Sequence, residues 1–373
     1  MREKIKKLMF TVILVLLMLI PFFLFINFLT HNYGILVYKR YDNWQQGYSP
    51  KNLFVYRLLK DIRFFQDKSS PPEVSHQLNL IYPRDVLAYD FRMPHPYAGF
   101  KTQPGINVVF PSLVGDQDIK VNSLGFRSDE LGSKENGTIR IGILGGSSAF
   151  LGSSNDMAIV GILAKKIEAK GYKVEYINGA IVAAISNQEL SVLVHDFIDL
   201  DVDIVIAFDG FNDILHQLQN SGFVGWPSFR WYDLYYPYVK PTQYRETTKK
   251  SLQNYIGNIK KMALISEAYK IGFIAVLQPM QNFSAGTCSI GMPVDEYTYF
   301  YCDAISEFDK MQKQKYAGAN YVSFADLLQD RQDLFVDKEH FNDTGNEIAA
   351  MHLLKIIEKH SLLQDAMNKR AIG

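Results

Sequence analysis

A chain of 373 residues is longer than one ordinary core requires and fits one large domain with additions. Apolar residues make up 47% and charged residues 21%, which excludes a disordered chain. Lys+Arg and Asp+Glu both number 39, so the formal net charge is zero, and beyond the N-terminus no basic cluster offers a nucleic-acid surface.

The first element is an apolar run from Leu8 to Leu29, preceded by Arg2, Lys4, Lys6 and Lys7. It is about 22 residues long, carries no charge and is enough to cross roughly 30 Å of hydrocarbon as a helix. Pro21 predicts a kink, which a membrane helix tolerates. A cleaved signal peptide needs a shorter apolar region and a small-x-small cleavage site, which this run does not supply. The expectation is a single-pass signal anchor, residues 1–30. The basic flank keeps the N-terminus cytoplasmic and places the rest of the chain outside the cytoplasm, in the periplasm or at the cell surface.

Residues 31–135 read as a juxtamembrane connector followed by a small strand-rich lead-in. Turn signals and short apolar stretches begin at Pro94: "PYAGFKTQPG", "INVVFPSLVG", "VNSLGFRSDE". From Ile139 the pattern changes. "IRIGIL", "KVEYIN", "VDIVIAF", "IGFIAVLQP" and "ANYVSF" are short β-rich runs. Between and after them come helical patterns at 159–170, 187–198, 247–269, 297–315 and 344–360. Strands alternating with helices predict an α/β fold, a three-layer α/β/α sandwich around a five-stranded parallel sheet. Residues 136–365 form this domain and 366–373 a tail. In such sheets, functional residues stand at the C-terminal ends of the strands. Cys288 and Cys302 fall in one turn-rich region, where they either pair in an oxidising compartment or remain free thiols. Neither shows a metal-ligand spacing, so no metal is expected.

The turn after the first of these strands reads Gly145-Gly146-Ser147-Ser148. It lacks the lysine of a phosphate-binding loop and the GxGxxG of a dinucleotide turn. A serine between a strand end and a helix start is instead a seat for a nucleophile, because free main-chain N–H groups lie beside it. Serine needs a base. Asp337 stands three residues before His340 in "VDKEHFNDTG", a spacing at which the carboxylate takes the imidazole Nδ1–H and leaves Nε2 to accept a proton. "GFND" follows the third strand and brings Asn212, a side-chain donor, to the same rim.

Together these residues resemble the SGNH (GDSL-like) hydrolases, a fold of flavodoxin-like layout. "GGSS" matches the serine block, with Gly146 where the family often has Asp, and identifies Ser147 rather than Ser148 as the nucleophile. "GFND" matches the third block and "DKEH" the fourth. In the second block Asn178, Ser186, Gln188, Glu189 and Leu190 fit, but the family's glycine falls on Ala183. The resemblance implies a Ser147-His340-Asp337 triad, an oxyanion hole from the N–H groups of Ser147 and Ala183 plus the Asn212 amide, and no cofactor or metal. Alanine at 183 keeps the N–H but resists positive φ; if φ is negative, activity survives with a preference for small acyl groups, and if it must be positive, activity falls.

The expected function is a membrane-anchored serine esterase acting on O-acetyl or O-acyl esters of a cell-surface glycan, through an acyl-enzyme. The same machinery also suits an O-acyltransferase, and a lipid or lysophospholipid ester is the other substrate class. A catalytically silent glycan-binding module of the envelope is a further reading. The insert "SGFVGWPSFRWYDLYYPYVK" contributes Trp226, Trp231 and Tyr232 as candidate substrate contacts; the same rings also suit a lid packed on the domain.

Overall fold

The computed structural model describes residues 92–112, 115–219, 224–225, 244–289 and 295–371, all within the compact unit Ala88–Gly373. Among the described residues no helix is long and apolar enough to cross a membrane; the run from Leu8 to Leu29 lies outside them. So do the connector up to residue 91 and, in the aromatic insert, Trp226, Trp231 and Tyr232.

The lead-in is a pair of antiparallel hairpins. Strand β1 (Arg92–His95) pairs with β2 (Gly99–Thr102), and β3 (Asn107–Ser112) pairs with β4 (Gly115–Lys120). The main layer system begins with β5 (Thr138–Gly145), a short helix α1 (Ser147–Phe150), and α2 (Ile159–Glu168). It continues through β6 (Lys173–Asn178), α3 (Ser186–Val192), β7 (Ile204–Asp209), α4 (Phe211–Gln219), α5 (Tyr244–Ala268) and β8 (Gly272–Leu277). It ends with α6 (Glu296–Lys313), β9 (Asn320–Ser323), α7 (Asp343–Lys359) and α8 (Leu362–Ala371).

The five strands β6-β5-β7-β8-β9 lie in that order and every pairing is parallel. Alternation within the strands makes two cores. Ile139, Ile141 and Ile143 of β5, with Ile204, Ile206 and Phe208 of β7, pack on one face against α2 and α7. Leu144, Val205 and Ala207 face the other way, against α3, α5 and α6. This period of two is what a sheet covered on both sides requires. Gly142, inside β5, has no room for a side chain, because a Cβ there would stand 2.3 Å from the ring of Phe197.

Two helices differ from the sequence expectation. The pattern at 187–198 does not make one helix: α3 stops at Val192 and the chain widens into a π-turn over Leu193–Phe197, which buries Leu193 and Phe197. Helix α8 runs through position 366, where the sequence reading starts a tail, because Leu363 and Ala366 are buried against the α2–α7 face.

Cys288 and Cys302 form a disulfide that ties the 3₁₀ turn Ala285–Ser289 to α6 across a separation of 14 residues. Of the two states open in the sequence, the bonded one is present. Closing a loop of that size removes about 3 kcal/mol of unfolded-chain freedom.

Strand order positions the site. From β5 the chain leaves to one side for β6 and returns to the other side for β7. The crevice at the C-terminal ends of β5 and β7 is therefore the topological switch point, where open α/β sheets bind ligands.

Candidate active site

Gly145 and Gly146 make the turn out of β5, and both lie close against their surroundings. A Cβ on Gly145, whose φ is +154°, would stand 2.4 Å from the Phe208 carbonyl oxygen; one on Gly146 would stand 2.2 Å from Asn212 Nδ2. The second contact shows that the Asn212 amide packs directly on the serine turn.

Ser147 Oγ donates to His340 Nε2 at 2.6 Å, and His340 Nδ1 donates to Asp337 Oδ2 at 2.7 Å. These partners fix the ring tautomer, with the proton on Nδ1 and the lone pair of Nε2 on the serine. The DKEH turn is built to hold this arrangement. Asp337 Oδ1 accepts from the N–H groups of Glu339 (2.9 Å) and His340 (2.8 Å), and Val336 N–H closes on the His340 carbonyl at 2.9 Å. Phe335 and Phe341 bridge across its base, and Asn342 caps α7 immediately after it by accepting from Gly345 N–H at 3.2 Å. Burial pushes the Asp337 carboxyl up, but the hydrogen bonds and charge of His340 outweigh it and hold the group below its ordinary value. Burial pulls His340 down, yet the neighbouring carboxylates of Glu339 and Asp337 raise it above its ordinary value.

Ser148 points away from His340 into bonds of its own. Its Oγ donates to the Glu339 carbonyl at 3.0 Å and accepts from Gln278 Nε2 at 3.1 Å, tying the serine turn to the DKEH turn and to the end of β8. The chain after Ser147 is held with equal care. Asn178 Nδ2 donates to the Ala149 carbonyl at 3.2 Å. The buried Arg127 guanidinium donates to the Phe150 (2.6 Å) and Gly152 (2.7 Å) carbonyls. In the sequence "VNSLGFRSDE" reads only as part of the lead-in; its arginine, Arg127, clamps the serine turn. Gln278 carried no signal beyond its place directly after a strand.

The three expected oxyanion donors come from separate elements of the chain. The main-chain N–H groups of Ser147 and Ala183 donate to no protein group among the described residues. Asn212 Nδ2 spends one hydrogen on the Ala184 carbonyl at 2.9 Å, which fixes the amide beside the Ala183 turn and leaves its other hydrogen. Asp213 locks the same two loops together by accepting from Ser186 N–H (3.0 Å) and Oγ (2.6 Å). Glu189, in the same block, is a core group: burial and then the charge of Asp209 push its carboxyl well above the usual range.

Ala183 has φ +66°, so of the two cases open in the sequence the positive one is present, and an alanine holds a backbone conformation that favours glycine. A left-handed non-glycine residue costs about 1–2 kcal/mol. Ala183→Gly is therefore expected to raise stability by roughly 1 kcal/mol after the extra unfolded-state freedom of glycine is subtracted. Thermal unfolding measures it, and a fall in Tm would show that the Cβ contributes packing that outweighs the strain.

No protein-family model matches the chain, and no curated protein matches it. Among solved structures it is similar to a GDSL-like lipase from Bacteroides thetaiotaomicron, with 17% identity and a TM-score of 0.38 over 59% of this chain and 88% of that one. It is also similar to a catalytic mutant of an acetylxylan esterase from Geobacillus stearothermophilus, with 15% identity and a TM-score of 0.39 over 60% of this chain and 95% of that one. A psychrotrophic esterase from Pseudoalteromonas sp. shows 20% identity and a TM-score of 0.38 over 59% of this chain and 97% of that one. Likeness this remote carries no function by itself.

Proposed function

We propose that the chain is a serine ester hydrolase working through an acyl-enzyme, with Ser147 as nucleophile, His340 as general base and acid, and Asp337 as the group that orients the imidazole. The observation that carries this reading is the continuous pair of hydrogen bonds Ser147 Oγ to His340 Nε2 and His340 Nδ1 to Asp337 Oδ2, at 2.6 and 2.7 Å. As Oγ attacks an ester carbonyl carbon, its proton passes to Nε2, and the imidazolium is held by the ionised Asp337. The carbonyl oxygen gains charge and is met by the N–H groups of Ser147 and Ala183 and by the Asn212 amide, each worth roughly 10²–10³ in rate. Collapse of the intermediate breaks the bond to the alcohol, which leaves with the proton from Nε2. Water then repeats the sequence on the acyl-serine.

The substrate we favour is an O-acetyl or O-acyl ester of a cell-surface glycan. Supporting this are the aromatic insert at residues 221–240, whose rings suit sugar faces, and the apolar run at Leu8 to Leu29, which suits an anchor with the domain outside the cytoplasm. The Cys288–Cys302 disulfide is consistent with an oxidising compartment. A C-terminal reporter active only in the cytoplasm would refute the placement.

The chemistry is tested without knowledge of the substrate by a fluorophosphonate probe and peptide mapping. The label is expected on Ser147 alone; label on Ser148, or none on a folded protein, would sink the assignment.

A further inference from the structure

Glu339 is a carboxyl that the triad does not use. Its Oε1 lies 3.9 Å from His340 Nε2, the same nitrogen that accepts from Ser147 Oγ, and its side chain is only 13% exposed. Among the described residues the carboxyl accepts no hydrogen bond. The adjacent cation does not cancel it, because Lys338 Nζ sits over the ring of Tyr297, 5.1 Å from its centroid. Burial raises the group to about 7, against the opposing pull of His340. In either protonation state an oxygen remains to accept a hydrogen bond. No protein donor among the described residues occupies this acceptor, so it is open to a donor brought in by a bound molecule.

The mechanism says what comes there. To take the proton from Nε2, the leaving alcohol oxygen must approach that nitrogen to roughly 3 Å. With Glu339 Oε1 3.9 Å from the same nitrogen, a substituent on the carbon next to the leaving oxygen comes within reach of that carboxyl. We infer that Glu339 is a specificity residue that accepts a hydrogen bond from a hydroxyl on the carbon adjacent to the esterified one, selecting esters of vicinal diols, as in a sugar ring, over esters of simple alcohols. The inference rests on the ester-hydrolase reading and narrows its substrate class. A site built to bond a hydroxyl discriminates against analogues that lack one.

The test compares kcat/KM of the full-length chain on ethyl acetate, 2-hydroxyethyl acetate and acetylcholine, for the wild type, Glu339→Gln and Glu339→Ala. The first two esters differ by one adjacent hydroxyl; the third replaces it with a cation. The expected result is a wild-type preference for 2-hydroxyethyl over ethyl acetate that falls roughly tenfold in Glu339→Ala, with the isosteric Glu339→Gln in between. Any general effect of the charge on His340 multiplies both rates and cancels in the ratio. An unchanged ratio in both variants overturns the inference while leaving the esterase intact. A Glu339-dependent preference for acetylcholine over 2-hydroxyethyl acetate also overturns it, in favour of cation recognition. If the wild type turns over none of the three, the ester-hydrolase reading itself fails and the inference with it.

Discussion

Ser147→Ala is expected to lower hydrolysis of p-nitrophenyl acetate by roughly 10⁴-fold or more, with little change in Tm. The size follows from what remains. The variant keeps His340, Asp337 and the oxyanion donors, but no other oxygen can take the place of Oγ. Ser148, one residue along, has its hydroxyl committed to the Glu339 carbonyl and to Gln278. Its helix turn is in addition fixed by Asn178 and Arg127 on the following carbonyls, so the backbone does not slide it into place. Ser148→Ala should cost far less, roughly tenfold or below, since it removes two neutral hydrogen bonds and no reacting atom. Steady-state rates of the two variants, measured side by side, separate the serines; a Ser147→Ala rate equal to wild type would end the nucleophile assignment.

That Ser147, not Ser148, stands at the strand end and meets His340 follows a short local block, the glycine pair directly after a buried strand. The five strands were legible for a related reason. Runs such as Ile139–Leu144 and Ile204–Phe208 are buried on both faces, and their apolar content survives without context. What was not legible depends on partners distant in the chain. Arg127 acts on carbonyls more than twenty residues later, and Gln278 reaches Ser148 across 130 residues. Nothing local marks either one. The positive φ of Ala183 was open for the same reason: the turn is imposed by its surroundings, the Asp213–Ser186 pair and the Asn212 bond to Ala184, against the preference of alanine. Helix α8 escaped notice because only part of one side is apolar, and it takes the packed α2–α7 face to bury Leu363 and Ala366. The pattern of success is physical: strand burial and short motifs are written locally, whereas clamps and strained turns are written in pairs of segments.

Asp337→Asn should reduce kcat by roughly 10⁴-fold while keeping the shape of the DKEH turn. Oδ1 of the asparagine still accepts from the Glu339 and His340 N–H groups, so the backbone has no reason to move. The change falls on Oδ2, which becomes an NH₂ facing His340 Nδ1. Two donors cannot share that contact, so the ring proton shifts to Nε2, and a protonated Nε2 no longer accepts from Ser147 Oγ. The variant also removes a charge that stabilises the imidazolium. In the wild type, Glu339 and Asp337 raise His340 above its ordinary 6.5, so the acid limb of kcat/KM, where the base loses its proton, is expected above that value. With Asp337 neutral one of the two raising charges is gone, and the limb of the residual activity moves to lower pH. Stability shifts with the opposite edge: the folded pKa of Asp337 is depressed, so its contribution is present above the unfolded carboxylate pKa and lost as pH falls through the folded one. A pH–rate profile of both proteins decides the matter. A variant with a near-wild-type rate, or with an acid limb that stays in place, would mean that Asp337 holds the turn and does nothing for the imidazole.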